Sequence, residues 1–412
     1  LNQATKSLSY VSRDLSKQML NRTAVSDPAA GVNSAVTTNT SYGYDYVDES
    51  VIFRLSINSD GIDLTGAINA SGNALGAATV TDTLPAGWEF VDITDGVQYL
   101  IFEATANTTG TLLASDTTPD VVADLTANIS GQTAAFTFQT LNRPYVILVK
   151  ARPTSETVAD YFSENQTTTV TNTLNLKAEN WTPGVNSTQA VKITSVLLEK
   201  TLEVPQTGVL KWTVNYQPYQ VEQPGTAVQD TLPVGLDLYT DSTGALLIDG
   251  YISVYEMNLA ADGSYSLGSQ VTLIQGDNVS YDPSTRVLSF VIPDNTKGYR
   301  FAYLTVVTGE PGTVTNHVVL LGSNMEQESS SVPYIITKAD GEASLQLNGW
   351  ISVLKTDQSG SPLAGAQFTL YAADGVSIVR VGTTGSDGKL KFKVLPDGNY
   401  YLVETAAPAG YA

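Results

Sequence analysis

The chain has 412 residues, 42% of them hydrophobic, enough to fill two to four packed domains. Its 41 acidic residues outnumber 21 basic ones, giving a net charge of −20 that argues against nucleic acid or an anionic membrane surface as partner. With no cysteine and a single histidine, His317, the sequence excludes disulfides, iron–sulfur clusters, Cys-ligated zinc and any two-histidine metal site, and no cofactor is expected.

No hydrophobic run approaches the roughly 20 residues of a membrane span. Leu1 opens no signal peptide, so the sorting signals of a secreted protein are expected outside these residues. Residues 1–50 are polar, with a tyrosine and acid cluster from Tyr42 to Glu49. An edge strand near Leu15 to Leu20, carrying Lys17, is preferred there to a helix from Ser7; Lys6 is the alternative lysine. In Val51-Ile52-Phe53-Arg54-Leu55-Ser56-Ile57, apolar residues at every second position oppose Arg54 and Ser56, the pattern of a half-buried strand. Short strands then recur between Gly, Asn, Asp and Pro turns to about residue 196, with at most one short helix, near Ser155 to Ser163.

A five-residue stretch occurs twice, Thr81-Asp82-Thr83-Leu84-Pro85 and Gln229-Asp230-Thr231-Leu232-Pro233, followed by Gly87 or Gly235. Its surroundings repeat in order. Lys17 and Lys200 stand upstream, and strands Val51 to Ile57 and Val209 to Tyr216 follow them. Downstream come Ala134 to Phe138 against Val287 to Val291, then Pro144 to Ala151 against Phe301 to Thr308. Both copies next carry Thr-Val-Thr-Asn, ending at Asn172 and Asn316, and close on a strand at 190–194 or 333–337. Seven landmarks in one order imply a tandem duplication, residues 1–196 and 197–340, each read as a β-sandwich. Lysine precedes aspartate by 65 residues (82 − 17) in the first copy and 30 (230 − 200) in the second, so the first holds an insertion before its strand.

A different module occupies residues 341–412, after a polar linker over Lys338 to Asn348. Ile351, Val353, Phe368 and Leu370 alternate with polar residues, and Ser386-Asp387-Gly388 and Pro396-Asp397-Gly398 are turn signals. The fold class is therefore all-β, three tandem sandwiches, the third stopping after a strand and a Pro-Gly turn where one more strand is expected.

The third module resembles the B-type, SpaA-like repeat of collagen adhesins and Gram-positive pilins. The resemblance rests on Lys355 in VLKTD, the segment PLAGAQFTLY, and an E-box, Tyr401-Leu402-Val403-Glu404-Thr405 with Pro408 and Gly410-Tyr411. The first two modules resemble the Ig-like A-type isopeptide domains of the same proteins. There a strand lysine, an aspartate before a Thr-Leu-Pro turn and a late asparagine form an autocatalytic crosslink. The resemblance implies Lys17, Asp82 and Asn172 for one bond, and Lys200, Asp230 and Asn316 for another. In the third module it implies Lys355 as nucleophile and Glu404 as catalyst, with the acceptor on a last strand that either lies beyond these residues or is supplied by a neighbouring molecule. The chemistry has a physical basis: burial disfavours both charged forms, leaving a neutral amine beside a protonated acid, and folding makes the attack unimolecular. No enzyme beyond this single turnover is expected.

The resemblance implies a wall-associated extracellular protein, a pilin or adhesin stalk subunit. Its partners would be neighbouring subunits, sortase and host matrix proteins. The alternative is a ligand-binding head that traps a matrix protein or peptide between the A-type domains. No Tyr-Pro-Lys pilin motif is present. Asp82 and Asp230 also fit as plain turn residues, and Asn172 and Asn316 as edge-strand residues. Val204-Pro205-Gln206-Thr207-Gly208 resembles a sortase sorting signal but lacks the hydrophobic segment and basic tail, and is read as a turn between strands.

Overall fold

In a computed structural model, residues 15–69, 71–106, 111–241, 243–322, 326–336, 349–395 and 399–411 are described. Lys6, the linker from Lys338 to Asn348 and the Pro396-Asp397-Gly398 turn lie outside these. The described chain is built from antiparallel strands, with one short helix at Ser155–Tyr161 and brief helical turns at Arg22–Ala24 and Pro28–Gly31. It forms two compact units. One runs to Val196 and includes 219–221 and 259–266; the other holds the remainder.

In the first unit a seven-stranded sheet faces a five-stranded one among the described residues. The lysine strand, Leu15–Leu20, pairs with Val51–Ile57, which pairs in turn with Tyr145–Pro153. In the opposite sheet the aspartate strand, Ala78–Thr83, lies between Thr133–Phe138 and the asparagine strand, Gln166–Ala178. Inward-facing Phe53, Leu55, Val80, Phe136, Ile147, Val149 and Leu174 fill the space between the sheets. Each such side chain contributes about 1.5 to 3 kcal/mol of transfer free energy.

The second sandwich repeats this plan with six and five strands among the described residues. Its lysine strand, Leu198–Gln206, pairs with Val209–Tyr216, and that with Gly298–Val307. The aspartate strand, Gly225–Thr231, lies between Val287–Val291 and the asparagine strand, Gly312–Gly322. The Val204 to Gly208 stretch is a hairpin end, Gln206 opposite Val209 with Gly208 at φ 76°. It is the turn that the sequence predicts.

One expectation is corrected. Val51–Ile57 is buried along its whole length, not on one face. The insertion covers the outer face of the sheet, and Leu20, Ala24 and Val32 pack there on Ile52, Phe102, Val146 and Leu148. Arg54 is therefore enclosed. Its guanidinium donates to the carbonyls of Val32 and Leu112 and to Ser56 and Gln18, and burial lowers its pKa to about 10. In the second copy the counterparts of Ile52 and Arg54 are Lys211 and Thr213, which suit a strand without such a cover.

In the third module Gly349–Leu354 pairs with Lys389–Leu395, and Gln367–Tyr371 lies between Ile378–Thr383 and the E-box strand Tyr401–Ala406. Ala366, Phe368, Leu370, Leu390, Phe392 and Leu395 form its core. The Ser386-Asp387-Gly388 turn forms as expected, with Gly388 at φ 69° and Asp387 accepting from the Lys389 amide.

Candidate crosslinking sites

The same turn positions the acid in both copies. Pro85 and Pro233 accept from the amides of Trp88 and Leu236, with Gly87 and Gly235 at φ 77° and 101°. That left-handed backbone favours glycine, and a Cβ at Gly87 would also strike the Thr157 hydroxyl. The Asp thus occupies the next-to-last residue of its strand, pointing inward. Asp82 stands opposite Leu174, and Asp230 opposite Val318. Two residues along the neighbouring strand, on the same face, come Asn172 and Asn316. Such diagonal neighbours lie within side-chain reach. The lysines come from the facing sheet, Lys17 opposite Leu55 and Lys200 opposite Val214.

All six side chains are within the dry interior. Relative exposures are 3%, 0% and 1% for Lys17, Asp82 and Asn172, and 5%, 0% and 0% for Lys200, Asp230 and Asn316. Neither asparagine is an exposed edge residue, and neither aspartate is a solvated turn residue. Lys17 Nζ lies 2.5 Å from Asp82 Oδ2 and 4.5 Å from the centre of the Phe53 ring. The pair is at ion-pair distance, and the Asn172 amide lies near enough to the Asp82 carboxyl to pull its pKa down against burial. Burial lowers the Lys17 pKa from 10.5 to about 8, against the pull of Asp82, and raises that of Asp82 against the pull of Lys17. Both shifts favour the uncharged amine and acid.

The second site adds a residue that the sequence does not single out. Lys200 Nζ donates to Asp230 Oδ2 at 2.5 Å and to the Tyr303 hydroxyl at 3.3 Å, while Asn316 Nδ2 donates to the same hydroxyl at 2.7 Å. Trp212 takes the place of Phe53, its ring centre 5.0 Å from Lys200 Nζ and its indole N–H held by Thr305. Burial lowers the Lys200 pKa to about 8 and raises that of Asp230. His317 follows Asn316 on the same strand, and its charge acts on Asp230 only as a minor lowering influence.

These shifts set a pH test. Asn316→Ala keeps the Lys200 and Asp230 pair but removes the acceptor. Lys200 titrates near 10.5 when unfolded and about 8 when folded, so between those values unfolding takes up a proton and stability rises with pH. The gap in melting temperature between Asn316→Ala and the parent chain is expected to narrow from pH 8 to pH 10. A widening gap would contradict the buried neutral amine.

The third pair is brought together differently. Lys355 Nζ donates to Glu404 Oε2 at 2.7 Å, with both side chains about 30% exposed at 29% and 30%. A pair this open to solvent contributes little, so Glu404→Gln is expected to change the unfolding free energy by less than about 1 kcal/mol. Denaturant titration of the two forms checks this.

Among the described residues no metal-binding cluster of His, Cys, Asp or Glu occurs, and no helix is long and apolar enough to cross a membrane. No relative was found among curated proteins. Among solved structures, the C-terminal domain of the Streptococcus agalactiae antigen I/II polypeptide BspA is 11% identical, over 78% of this chain and 99% of that one, with a TM-score of 0.29. The major pilin subunit BcpA of Bacillus cereus is 13% identical over 80% and 89%, with a TM-score of 0.22. The T6 backbone pilin of Streptococcus pyogenes is 14% identical over 85% and 77%, with a TM-score of 0.21. One family model, SpaA, described as a prealbumin-like fold domain, matches residues 349–412, the stretch from the Lys355 strand through the E-box. Residues 349–412 are thus similar to the SpaA prealbumin-like domain, as Lys355, PLAGAQFTLY and the E-box residues lead one to expect.

Proposed function

We propose that the chain is a structural or adhesive subunit of a Gram-positive cell-surface pilus or stalk, hardened by one Lys–Asn isopeptide bond in each of its first two sandwiches. The observation that carries this reading is the repeated triad: a lysine from one sheet, and an aspartate and a diagonal asparagine from the other, all buried. A purely structural role does not account for it. A buried ion pair is weak as a stabiliser, because desolvation offsets the attraction. Here the same costly arrangement occurs twice, each time beside a buried amide.

The reaction follows from the geometry. The neutral lysine amine attacks the asparagine Cγ while the protonated aspartate gives its proton to the amide oxygen and, as a carboxylate, takes the proton released by the attacking nitrogen. Passing that proton to Nδ2 lets ammonia leave, and the oxygen's proton returns to the aspartate. One Nζ–Cγ bond forms and one Cγ–Nδ2 bond breaks, with no external reagent. The sandwich supplies the proximity, and because the lysine and asparagine are consumed in the link, the event is a single turnover.

Placement suits a load-bearing role. Each bond would join an early strand to a late one, so that tension passes through the covalent link and bypasses most of the domain. Attachment to neighbouring subunits by sortase, location on the cell wall, and contact with host matrix proteins belong to the same proposal, supported by the SpaA match of residues 349–412. The test is peptide mapping of the purified protein. Branched peptides joining Lys17 to Asn172 and Lys200 to Asn316 are expected; recovery of all four residues in linear peptides would overturn the proposal.

A further inference from the structure

The two sites are not equivalent, and the difference lies in one residue. Register places Tyr303 opposite Trp212, and Val149 opposite Phe53. Since Trp212 and Phe53 are counterparts, Tyr303 stands where the first site has Val149. Among the described residues, the hydroxyl that contacts both the attacking and the departing nitrogen is found in the second site. That ring is fully enclosed, packed at 5.4 Å between centres against Phe301.

We propose that the Tyr303 hydroxyl is a catalytic proton relay of the second crosslink, passing a proton to Nδ2 of Asn316 as that nitrogen departs; this rests on the crosslinking reading above. Its oxygen accepts from Asn316 Nδ2 at 2.7 Å and from Lys200 Nζ at 3.3 Å, so it touches both nitrogens whose bonds change. Both contacts use its lone pairs, leaving its own proton free to turn toward Asp230, whose carboxyl group is near enough to act on the phenol. Burial keeps the phenol protonated, well above its usual pKa.

The protons balance. Attack forms the Nζ–Cγ bond as protonated Asp230 gives its proton to the amide oxygen, and the carboxylate so formed takes the proton that Nζ sheds. Tyr303 gives its proton to Nδ2, the Cγ–Nδ2 bond breaks and ammonia leaves; Asp230 then restores the phenol and recovers its own proton from the amide oxygen. The net movement is one proton from Nζ to Nδ2. In the first site Asp82 would serve both nitrogens itself, with the apolar Val149 at the corresponding wall.

Tyr303→Phe keeps the ring and removes only the hydroxyl. The experiment follows freshly synthesised protein by mass spectrometry, with peptide mapping at each time to assign the bonds. The variant is expected to close Lys17 to Asn172 at the parent rate and Lys200 to Asn316 at least about tenfold more slowly, given what positioned acid–base groups contribute. A parent rate at both bonds would overturn the relay and leave the crosslinks standing. Absence of the second bond in the parent chain would overturn the crosslinking reading itself. Thermal unfolding of Asn316→Ala with and without Tyr303→Phe, neither able to close the bond, provides the fold control. Equal melting is expected there; a large drop on removing the hydroxyl would reassign Tyr303 to structure alone.

Discussion

Replacing Asp230 with alanine is expected to leave the second sandwich folded but unlinked, with one ammonia, about 17 Da, retained in the mass. The first bond should form as before. Asp82→Ala should give the converse result, and the double variant should retain two ammonias. The aspartate is needed because the lysine amine and the amide face each other in a dry pocket where no water can carry protons. Asp230 is the carboxylate within reach of Lys200 Nζ among the described contacts, at 2.5 Å. Without it Lys200 is a buried cation lacking its counter-charge, which costs about 3 to 5 kcal/mol when one partner of such a pair is deleted. Lysine can lower that cost by giving up its proton, which is why the fold should survive. An unchanged crosslink in Asp230→Ala would remove Asp230 from the catalytic role.

Losing the acceptor should weaken the fold most. Asn316→Ala prevents closure of a loop of 116 residues (316 − 200). By the chain-entropy argument developed for disulfides, that closure is worth about 5 kcal/mol. The buried Lys200 and Asp230 pair then persists uncrosslinked, adding a desolvation penalty that the amide would have erased. Denaturant unfolding of the second sandwich should show a free energy lower by that order and a steeper slope, because the unlinked denatured chain exposes more surface. Asn172→Ala should act likewise on the first, where the loop is 155 residues (172 − 17). A midpoint within error of the parent would mean that the link contributes no stability, and the load-bearing role would fail with it.

Much of this was legible in the sequence because the duplication supplied its own control. Lys17 and Lys200 were matched by their order before the repeated Asp-Thr-Leu-Pro, and the strands bring them to equivalent registers. A strand at Leu15–Leu20 and a short helix at Ser155–Tyr161 form where expected, but Val36–Thr37 pairs outside that strand, so it is not the sheet edge. Burial of Val51–Ile57 on both faces was not legible. Its alternation is that of a half-exposed strand, and only the folded insertion, with carbonyls of Val32 and Leu112 aimed at Arg54, turns the polar face inward. Tyr303 was hidden for another reason. In Phe301-Ala302-Tyr303 it alternates like any core aromatic, and its hydroxyl gains meaning only when Asn316 and Lys200 arrive from two other strands. The openness of Lys355 and Glu404 was equally invisible, since their motif is the same whether the pair is dry or wet.

The most direct measurement is the intact mass of the purified chain under fully denaturing conditions. Each Lys–Asn bond releases one ammonia and survives denaturant, so a deficit of two ammonias, about 34 Da against the sequence mass, is expected. A mass equal to that of the sequence would contradict self-crosslinking in both sandwiches.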